Sequence, residues 1–266
     1  MTINNEETIR FTVFLVTFII ISVWEIFIPR RKLRFLKIVR WYGNLGIIAV
    51  NSLIQALISP LMVGTVAVIC LENRVGLFNI FHAKYFVVTV IISIVILDLA
   101  VYIQHVLFHK ISLLWQLHKM HHTDLDIDVT TGIRFHPIEI IISILIKLVI
   151  VIIFGIHPIA VLIFEVFLNA AAMFNHGNIY IPVKIDGFLR LFIVTPDMHR
   201  VHHSVLKKET NSNYGFNIPY WDYFFRTYKN QPDKGHLDMT IGLKVFRKIK
   251  YLKLHWLLVI PFIKER

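Results

Sequence analysis

The sequence predicts an all-α protein whose helices cross a membrane several times, and three observations support this prediction. The 266 residues are 56% hydrophobic with a mean hydropathy of +0.64, which is too apolar for an ordinary soluble domain. Several apolar runs approach about 20 residues, the length that a helix needs to cross the hydrocarbon of a bilayer. A basic cluster follows the first run, as is typical of spans that are oriented by charge.

The first predicted span is Thr8–Phe27, whose length matches one bilayer thickness for an α-helix. A cleaved signal peptide is the alternative interpretation. It is disfavoured because the residues before the run are acidic and polar, no small-residue cleavage site is present, and the basic cluster comes after the run. We therefore expect this segment to remain as a span.

Four further apolar segments follow along the chain. Leu45–Leu71 predicts a second span that is kinked or broken at Pro60, because proline disrupts a helix interior. Phe86–Phe108 predicts a third span. Ile138–Ile156 and Ile159–Phe174 flank a short connector and predict a helical hairpin. With no internal repeat or long linker, we expect one domain over 1–266.

That domain has three predicted parts. The N-terminal spans occupy about 8–84, the histidine-rich region about 86–230, and a basic tail 231–266. The segment 29–41, PRRKLRFLKIVRW, is placed in the cytoplasm by the positive-inside rule. The N-terminus and the connector 72–84 are then outside, and a cytoplasmic helical cap contains 183–266. The net charge of +11 suits an anionic leaflet, whereas no motif supports a nucleic-acid partner.

Histidines are grouped in three short motifs, HVLFH, HKMHH and HRVHH. On a helix, residues three and four apart share a face with Cβ atoms about 5–6 Å apart, close enough to hold a metal. A lone histidine at a span end would usually be a satisfied core residue, and a metal-storage tract would be contiguous. The motifs contain His105, His109, His118, His121, His122, His199, His202 and His203.

The number of imidazoles bears on the kind of metal site. About four nitrogens suffice for one zinc ion, so this set indicates two metal ions. Imidazole suits iron, zinc, copper and nickel, so ligand type alone leaves the metal open. The sequence contains no H-E-x-x-H motif, which disfavours a helical zinc protease. A bis-histidine haem would leave most of the histidines unexplained.

The order of these motifs resembles the fatty acid hydroxylase/sterol desaturase superfamily, from about Asp98 to Tyr228. The matching stretches are DLAVYIQHVLFH, LLWQLHKMHHTD, VTTGIRFHPIEI, FNHGNI, TPDMHRVHHS and NYGFNIPYWDYFFRTY. There are two departures. Val106 stands where many members have arginine, and Arg226 where glycine often precedes Thr-Tyr. Neither is a ligand position, so these departures bear on which substrate is bound more than on the type of reaction.

The resemblance implies a histidine-rich dimetal site that holds two iron ions, with zinc able to replace them in recombinant protein. It implies an oxidoreductase that uses O₂ to hydroxylate or desaturate a sterol, fatty acyl or alkylglycerol-like lipid from the bilayer. Electrons are expected from a separate donor of the cytochrome b5, ferredoxin or flavoprotein type. The alternative is a non-redox membrane metalloprotein, either a zinc-dependent lipid hydrolase or a metal transporter, although a transporter would place its ligands near mid-membrane.

The resemblance also adds a ninth ligand, His176. His136 matches a family position too, but it precedes a proline that begins a helix, so an outer role is equally expected. Ligating histidines usually donate their second ring N–H to a carboxylate or carbonyl, and other polar residues are candidates for such a role. These candidates are Asp98, Glu165 and Asn169.

Three further expectations concern polar and aromatic residues. The acidic stretch HTDLDID is expected to be a solvated surface, and WDYFF an aromatic anchor at the membrane interface. His82, His157, His236 and His255 lack partners at metal spacing and are expected in loops or interfaces. Lys147 and Glu165 are nearly equidistant from the hairpin turn, so we expect an ion pair at similar depth, with Glu165 facing the metals as the alternative.

Overall fold

The computed structural model of the chain describes residues 3–81 and 85–264. No β-strand forms in these residues, and two isolated bridges are the sole β-type pairings among them. Five helices of this part are long and apolar enough to cross a membrane. The predicted all-α, multi-span fold is therefore confirmed. His82 and the other residues of 82–84 lie outside the described residues.

The bundle contains five long helices and three shorter ones. They are α1 (Ile3–Phe27), α2 (Lys37–Leu57), α3 (Val63–Glu72), α4 (Leu77–Ile80), α5 (Phe86–Lys110), α6 (Ser112–His122), α7 (Pro137–Phe154) and α8 (Pro158–His176). A cap of short helices follows. They are α9 (Val183–Leu189), α10 (Pro196–His202), α11 (Lys207–Thr210), α12 (Tyr220–Phe224), α13 (Gly235–Asp238) and α14 (Leu254–Val259).

The second predicted span is broken where the sequence indicated. A 3₁₀ turn that contains Pro60 separates α2 from α3, which confirms the break. The bounds Leu45–Leu71 were wrong, since the segment apolar enough to cross is Val63–Ile80. The physical reason is that α2 is amphipathic and buries the polar residues Arg40, Asn44 and Asn51 on one face.

One end of the bundle is built around the α7–α8 turn. Gly155 ends α7 in the left-handed region at φ +65°, and His157 caps α8 by accepting from the Ile159 amide. A Cβ on Gly76 would lie 2.1 Å from the Gly155 nitrogen, so the α3–α4 connector packs directly on this turn. The Phe86 ring contacts the His157 ring at 5.1 Å between centroids. We call this the turn end.

The opposite end, the histidine end, gathers the histidine-rich motifs. Helices α5 and α8 reach it at their C-termini, and α6 and α10 lie there. Helix α1 also ends there, because the residues after it pair with the residues after α8. The Arg30 amide N–H donates to the Asn178 carbonyl at 2.9 Å, and the Tyr180 amide N–H donates to the Ile28 carbonyl at 2.9 Å. The helices thus alternate in direction as predicted, with the start of α1 away from the histidines.

The segment expected as a basic tail is packed against the bundle as far as residue 264. A Cβ on Gly43 of α2 would lie 2.0 Å from the Leu252 carbonyl oxygen, so this glycine permits close contact with the segment before α14. The Lys119 ammonium donates to the Ile263 carbonyl at 2.6 Å. These contacts fix α6 between the bundle and the C-terminal segment.

An ion pair crosses the hairpin at the depth that the sequence predicted. Lys147 Nζ lies 2.7 Å from Glu165 Oε1, which confirms the pairing. Arg10 of α1 also donates to Glu165, at 2.7 Å to Oε2. This second cation was not predicted from the sequence, and it ties α1 to the hairpin through the same carboxylate.

Candidate metal centre

Two groups of histidines lie side by side at the histidine end, and their ligand atoms lie within 4.8 Å of one another in each group. The first group is His105, His109, His118, His122 and His202. The second group is His121, His176, His199 and His203. Together these are the nine residues that the sequence and the family resemblance selected.

The HxxHH motifs divide between the groups in opposite ways. In α6, His118 and His122 are four residues apart and enter the first group, while His121 enters the second. In α10 and its C-cap, His199 and His203 enter the second group, while His202 enters the first. Each HxxHH motif therefore contributes imidazoles to both groups and links them. His105 and His109 add to the first group from α5.

The Nε2 atoms point toward one another within each group. In the first group, His105 lies 3.2 Å from His118. His109 lies 3.2 Å from His122. In the second group, His176 lies 3.1 Å from His121, 3.2 Å from His199 and 3.1 Å from His203, so it is the centre of that group.

The other ring nitrogens are held by acceptors on the main chain. Four histidines donate Nδ1–H to a main-chain carbonyl oxygen. His105 donates to Tyr214 at 2.7 Å and His121 to Arg134 at 3.1 Å. His176 donates to Ala172 at 2.7 Å and His202 to Ser212 at 2.7 Å. A carbonyl oxygen can only accept, so each of these Nδ1 atoms bears the proton and each Nε2 bears a lone pair. The tautomer is thereby fixed for metal binding at Nε2.

The facing lone pairs of the Nε2 atoms indicate whether these residues suit a metal ion. Nε2 of His121 and Nε2 of His176 face each other at 3.1 Å with no proton between them, so they repel unless a cation lies between the rings. Protonation is disfavoured, because burial lowers the pKa of His202 to about 3 and that of His121 well below the ordinary value. Uncharged, inward-facing imidazoles in two groups fit two metal ions that accept nitrogen ligands.

One carboxylate joins the ring of hydrogen bonds around the histidines. His118 Nδ1 donates to Glu139 Oε1 at 2.6 Å, and both side chains are buried. Glu139 was not among the residues predicted from the sequence. A usable signal was its position in the first turn of α7, three residues after His136 in RFHPIE.

The outer polar candidates have other partners. Asp98 accepts from Asn217 and from the Trp221 indole, both at 2.7 Å. Asn169 donates to the Glu165 carbonyl within α8. His136 caps α7 by accepting from Ile138 and donates Nε2–H to the Leu258 carbonyl at 3.3 Å. Glu165 binds Lys147 and Arg10, and none of these candidates bonds to one of the nine histidines in the described residues.

The acidic stretch after α6 is buried, so the expectation of a solvated surface was wrong. Asp124, Asp126 and Asp128 are each 1% exposed or less. The physical reason is Arg40 of α2, which binds Asp124 at 2.7 Å and Asp128 at 2.5 Å. Burial alone would raise the pKa of Asp124, but Arg40 and Arg134 lower it well below its usual range. This carboxylate therefore stays ionised.

This buried network also fixes the end of α6. Arg134 donates from Nη2 to the Met120 carbonyl at 3.1 Å and to the Thr123 hydroxyl at 2.6 Å. Its own carbonyl accepts from His121 Nδ1. Arg134 thereby positions both the backbone before His121 and the ring of His121.

Two phenyl rings contact both histidine groups from the apolar interior of the bundle. Phe135 stacks on His121 with 4.5 Å between ring centroids. Phe216 lies 4.9 Å from the His105 ring and 5.6 Å from the His199 ring. Both pack with the hydrophobic core formed by α3, α5, α7 and α8. The site is therefore closed toward the membrane interior by aromatic side chains.

The remaining histidines have separate surroundings. His157 caps α8, and the His255 side chain is exposed on α14. His236 is buried with Nε2 3.5 Å from Asp197. The aromatic stretch WDYFF contains exposed Phe224 but also Asp222, a buried carboxylate. For the exposed aromatic residues the interface anchor stays a prediction, whereas the buried Asp222 does not fit it.

Comparison with known proteins gives one family and several relatives. The fatty acid hydroxylase family matches residues 90–227, which include every histidine of the two groups. The chain is 31% identical over 157 residues to ornithine lipid hydroxylase OlsE of Rhizobium tropici, covering 59% of this chain and 46% of that protein. No solved structure matches.

More distant relatives carry a second name. Alkylglycerol monooxygenase of Homo sapiens is 24% identical over 158 residues, covering 58% of this chain and 33% of that protein. The enzyme of the same name from Danio rerio is 27% identical over 154 residues, covering 56% of this chain and 32% of that protein. The similarity to these relatives thus spans less than half of each relative's own length.

Proposed function

The chain belongs to the fatty acid hydroxylase family, and on that premise we propose that it is a membrane-bound oxidoreductase that hydroxylates a lipid. The observation that carries the proposal is the convergence of nine imidazoles whose Nε2 atoms face inward in two groups. Hydroxylation is favoured over desaturation because the relatives named above are called a hydroxylase and a monooxygenase.

The proposed cofactor is a pair of iron ions, one held by the group of five histidines and one by the group of four. When bound, the irons supply the activation of O₂ that attack on an unactivated C–H bond requires. The chain holds the rings in place through the main-chain acceptors, which fix Nε2 as the donor atom. Glu139 adds negative charge next to His118 and partly balances the charge of the metal ions.

The substrate is proposed to be an acyl- or alkyl-chain lipid that enters from the bilayer. The support is the position of Phe135 and Phe216, which contact the histidines on the side of the apolar core. These rings exclude water, which would otherwise quench a strong oxidant. A sterol, a fatty acyl lipid and an alkylglycerol-like lipid all satisfy this apolar requirement.

Electrons are proposed to come from a separate protein of the cytochrome b5, ferredoxin or flavoprotein class. The histidine end is proposed to face the cytoplasm, supported by the basic segment 29–41 at that end. A tag fused before residue 1 should then be labelled by an impermeant reagent in intact cells, and a tag after residue 266 should not. Labelling of both tags, or of the C-terminal tag alone, would reject this orientation.

Metal analysis combined with an oxygen-isotope assay tests the function. Protein purified in detergent and loaded anaerobically with Fe²⁺ should hold about two irons per chain if each group takes one ion. With membrane lipids, a chemical or protein reductant and ¹⁸O₂, mass spectrometry should find ¹⁸O in a hydroxylated lipid. His202→Ala should remove this product, while His255→Ala, on an exposed side chain, should not. Oxygen-independent lipid cleavage with bound zinc would instead support the hydrolase alternative.

A further inference from the structure

The cap presents an exposed aromatic face made of two segments that lie next to each other. The Phe224 side chain is 76% exposed and Phe188 is 62% exposed. The segments are joined where the Tyr220 hydroxyl donates to the Leu191 carbonyl at 2.6 Å. The face, called the cap face below, consists of Phe188, Leu191, Phe192, Tyr220, Phe224 and Phe225.

The depth of the cap face follows from the helix beside it. Phe86 at the start of α5 contacts His157 at the start of α8, so the two helices begin at one level. With a rise of 1.5 Å per residue, Asp98 lies about 18 Å and His105 about 28 Å from that level. With the turn end placed at one boundary of a hydrocarbon layer about 30 Å thick, the histidines lie near the other boundary and Asp98 lies about 10 Å inside it.

The segment that contains α12 reaches the level of Asp98. The Trp221 indole donates to one oxygen of Asp98 and the Asn217 amide to the other, both at 2.7 Å. The segment after α9 lies at the same level, because Val194 donates its amide to the Asn217 carbonyl at 2.9 Å. Both halves of the cap face are therefore held at a level about 10 Å below His105 along α5, and Phe225 lies nearer to the histidines, beside Tyr102.

The cap face is also continuous with the outer surface of α5. Phe225 stacks on Tyr102 of α5 with 5.3 Å between ring centroids. Ile103, the next residue of α5, and Leu107, about one turn further, are exposed and apolar. The apolar surface of this span therefore adjoins the aromatic residues of the cap face.

We propose that the cap face is inserted into the leaflet at the histidine end, where lipid acyl chains cover it. The short helices α9 and α12 then act as a monotopic anchor beside the spans, rather than as a water-exposed part of the cap. Aromatic residues with a polar tip, such as Tyr220, suit the boundary between acyl chains and headgroups. The proposal concerns membrane contact and is independent of the lipid that reacts.

Spin-label accessibility tests the insertion. In a Cys70→Ala background, a nitroxide is attached to Phe224→Cys or Phe188→Cys, and to His255→Cys as the control on an exposed part of α14. The full chain is reconstituted in phosphatidylcholine–phosphatidylglycerol vesicles. Labels at 224 and 188 should collide with O₂ several-fold more than with a water-soluble nickel chelate, at about 5–10 Å below the headgroups. The label at 255 should show the reverse preference.

Two other outcomes would overturn the proposal. Preference of both cap-face labels for the nickel chelate would place the face in water. Shelter of both labels from either reagent would mean that protein, such as a second copy of the chain, covers it. Both native side chains are exposed, so the labels should not disturb folding, and an unchanged elution profile in detergent checks this for each site.

Discussion

His118 and Glu139 are joined by a 2.6 Å hydrogen bond from imidazole Nδ1 to carboxylate Oε1. The second oxygen of Glu139 has no hydrogen-bond partner in the described residues, so the carboxylate is committed to this histidine. A buried carboxylate in this position fixes the ring and makes Nε2 a better donor to a metal. The role of Glu139 is therefore positioning, and it is testable separately from turnover.

Glu139→Gln should weaken iron binding by about 10- to 100-fold, since the amide oxygen can still accept from His118 but the negative charge is lost. Glu139→Ala should weaken it further, because Nδ1 then loses its acceptor. Competition with a chelator of known affinity measures the effect. Ser112→Ala, at an exposed position of α6, is a control. Equal iron affinity in Glu139→Gln and wild type would rule out the charge contribution.

One histidine from each group should be required for both metal retention and turnover. His122→Ala removes an imidazole of the first group and His203→Ala one of the second. Each should lower iron content and reduce turnover by at least about 100-fold, as expected when a directly required ligand is lost. His255→Ala should match wild type in both measurements. Full activity in His122→Ala protein would reject a shared site.

Eight of these nine histidines could be found from sequence because their spacing is local, whereas His176 was selected only through the family resemblance. The i, i+3 and i, i+4 relations on a helix fix which rings share a face, whatever the rest of the fold does. The Lys147–Glu165 pair was also predictable, since equal distances from a hairpin turn fix equal depth. Arg10 was not predictable, because it comes from a helix 155 residues away along the chain.

The burial of the acidic stretch depended on tertiary packing in the same way. Asp124 pairs with Arg40, 84 residues earlier, and nothing local marks either residue as a partner. The basic segment that contains Arg40 already had an explanation in membrane orientation. The partition of each HxxHH motif between two groups likewise required the tertiary fold, which brings the histidine rings of α6 and α10 together.

Arg40 should be essential to the fold. Arg40→Met leaves Asp124 and Asp128 buried without their main cation, and breaking such a pair costs about 3–5 kcal/mol. Thermal unfolding in detergent measures the loss. The control is Lys32→Met, which removes the same charge from an exposed side chain of the same segment. Equal stability of the two variants would show that the buried network does not stabilise the protein.

The ion cluster around Glu165 should respond unequally to the removal of its members. Lys147→Met leaves Glu165 paired with Arg10, whereas Glu165→Gln leaves two cations in the membrane without a carboxylate. An unpaired charge at mid-bilayer costs about 2.5–3.5 kcal/mol on insertion scales, so Glu165→Gln should be the more destabilising change.

A double-mutant cycle separates pairing from independent effects. The double variant should lose less stability than the sum of the single variants, with a coupling of about 0.5–3 kcal/mol. Unfolding by a denaturing detergent in mixed micelles provides the measurement. Additive losses would reject the pair, and a larger loss for Lys147→Met than for Glu165→Gln would reject the contribution of Arg10.

The buried His236 should make the cap sensitive to acid. Burial, with the nearby cations Arg200 and Arg30, lowers the pKa of His236 to about 3, although Asp197 acts to raise it. In the unfolded chain the pKa lies at the ordinary value of 6.5. Between these values the unfolded state binds more protons, so stability is fully present above pH 6.5 and is lost as the pH falls toward 3.

Replacing His236 by glutamine should remove this dependence while keeping a polar side chain of similar size. Relative to His236→Gln, wild type should lose about 1.4 kcal/mol of unfolding free energy for each pH unit below the ordinary histidine pKa. Thermal or denaturant unfolding at pH 7, 6 and 5 gives the difference, with His255→Gln as the matched control on an exposed side chain. Other buried histidines also titrate, but they are common to both proteins and cancel in the comparison. Parallel stability profiles for wild type and His236→Gln would show that His236 is already protonated, or accessible to water, in the folded protein.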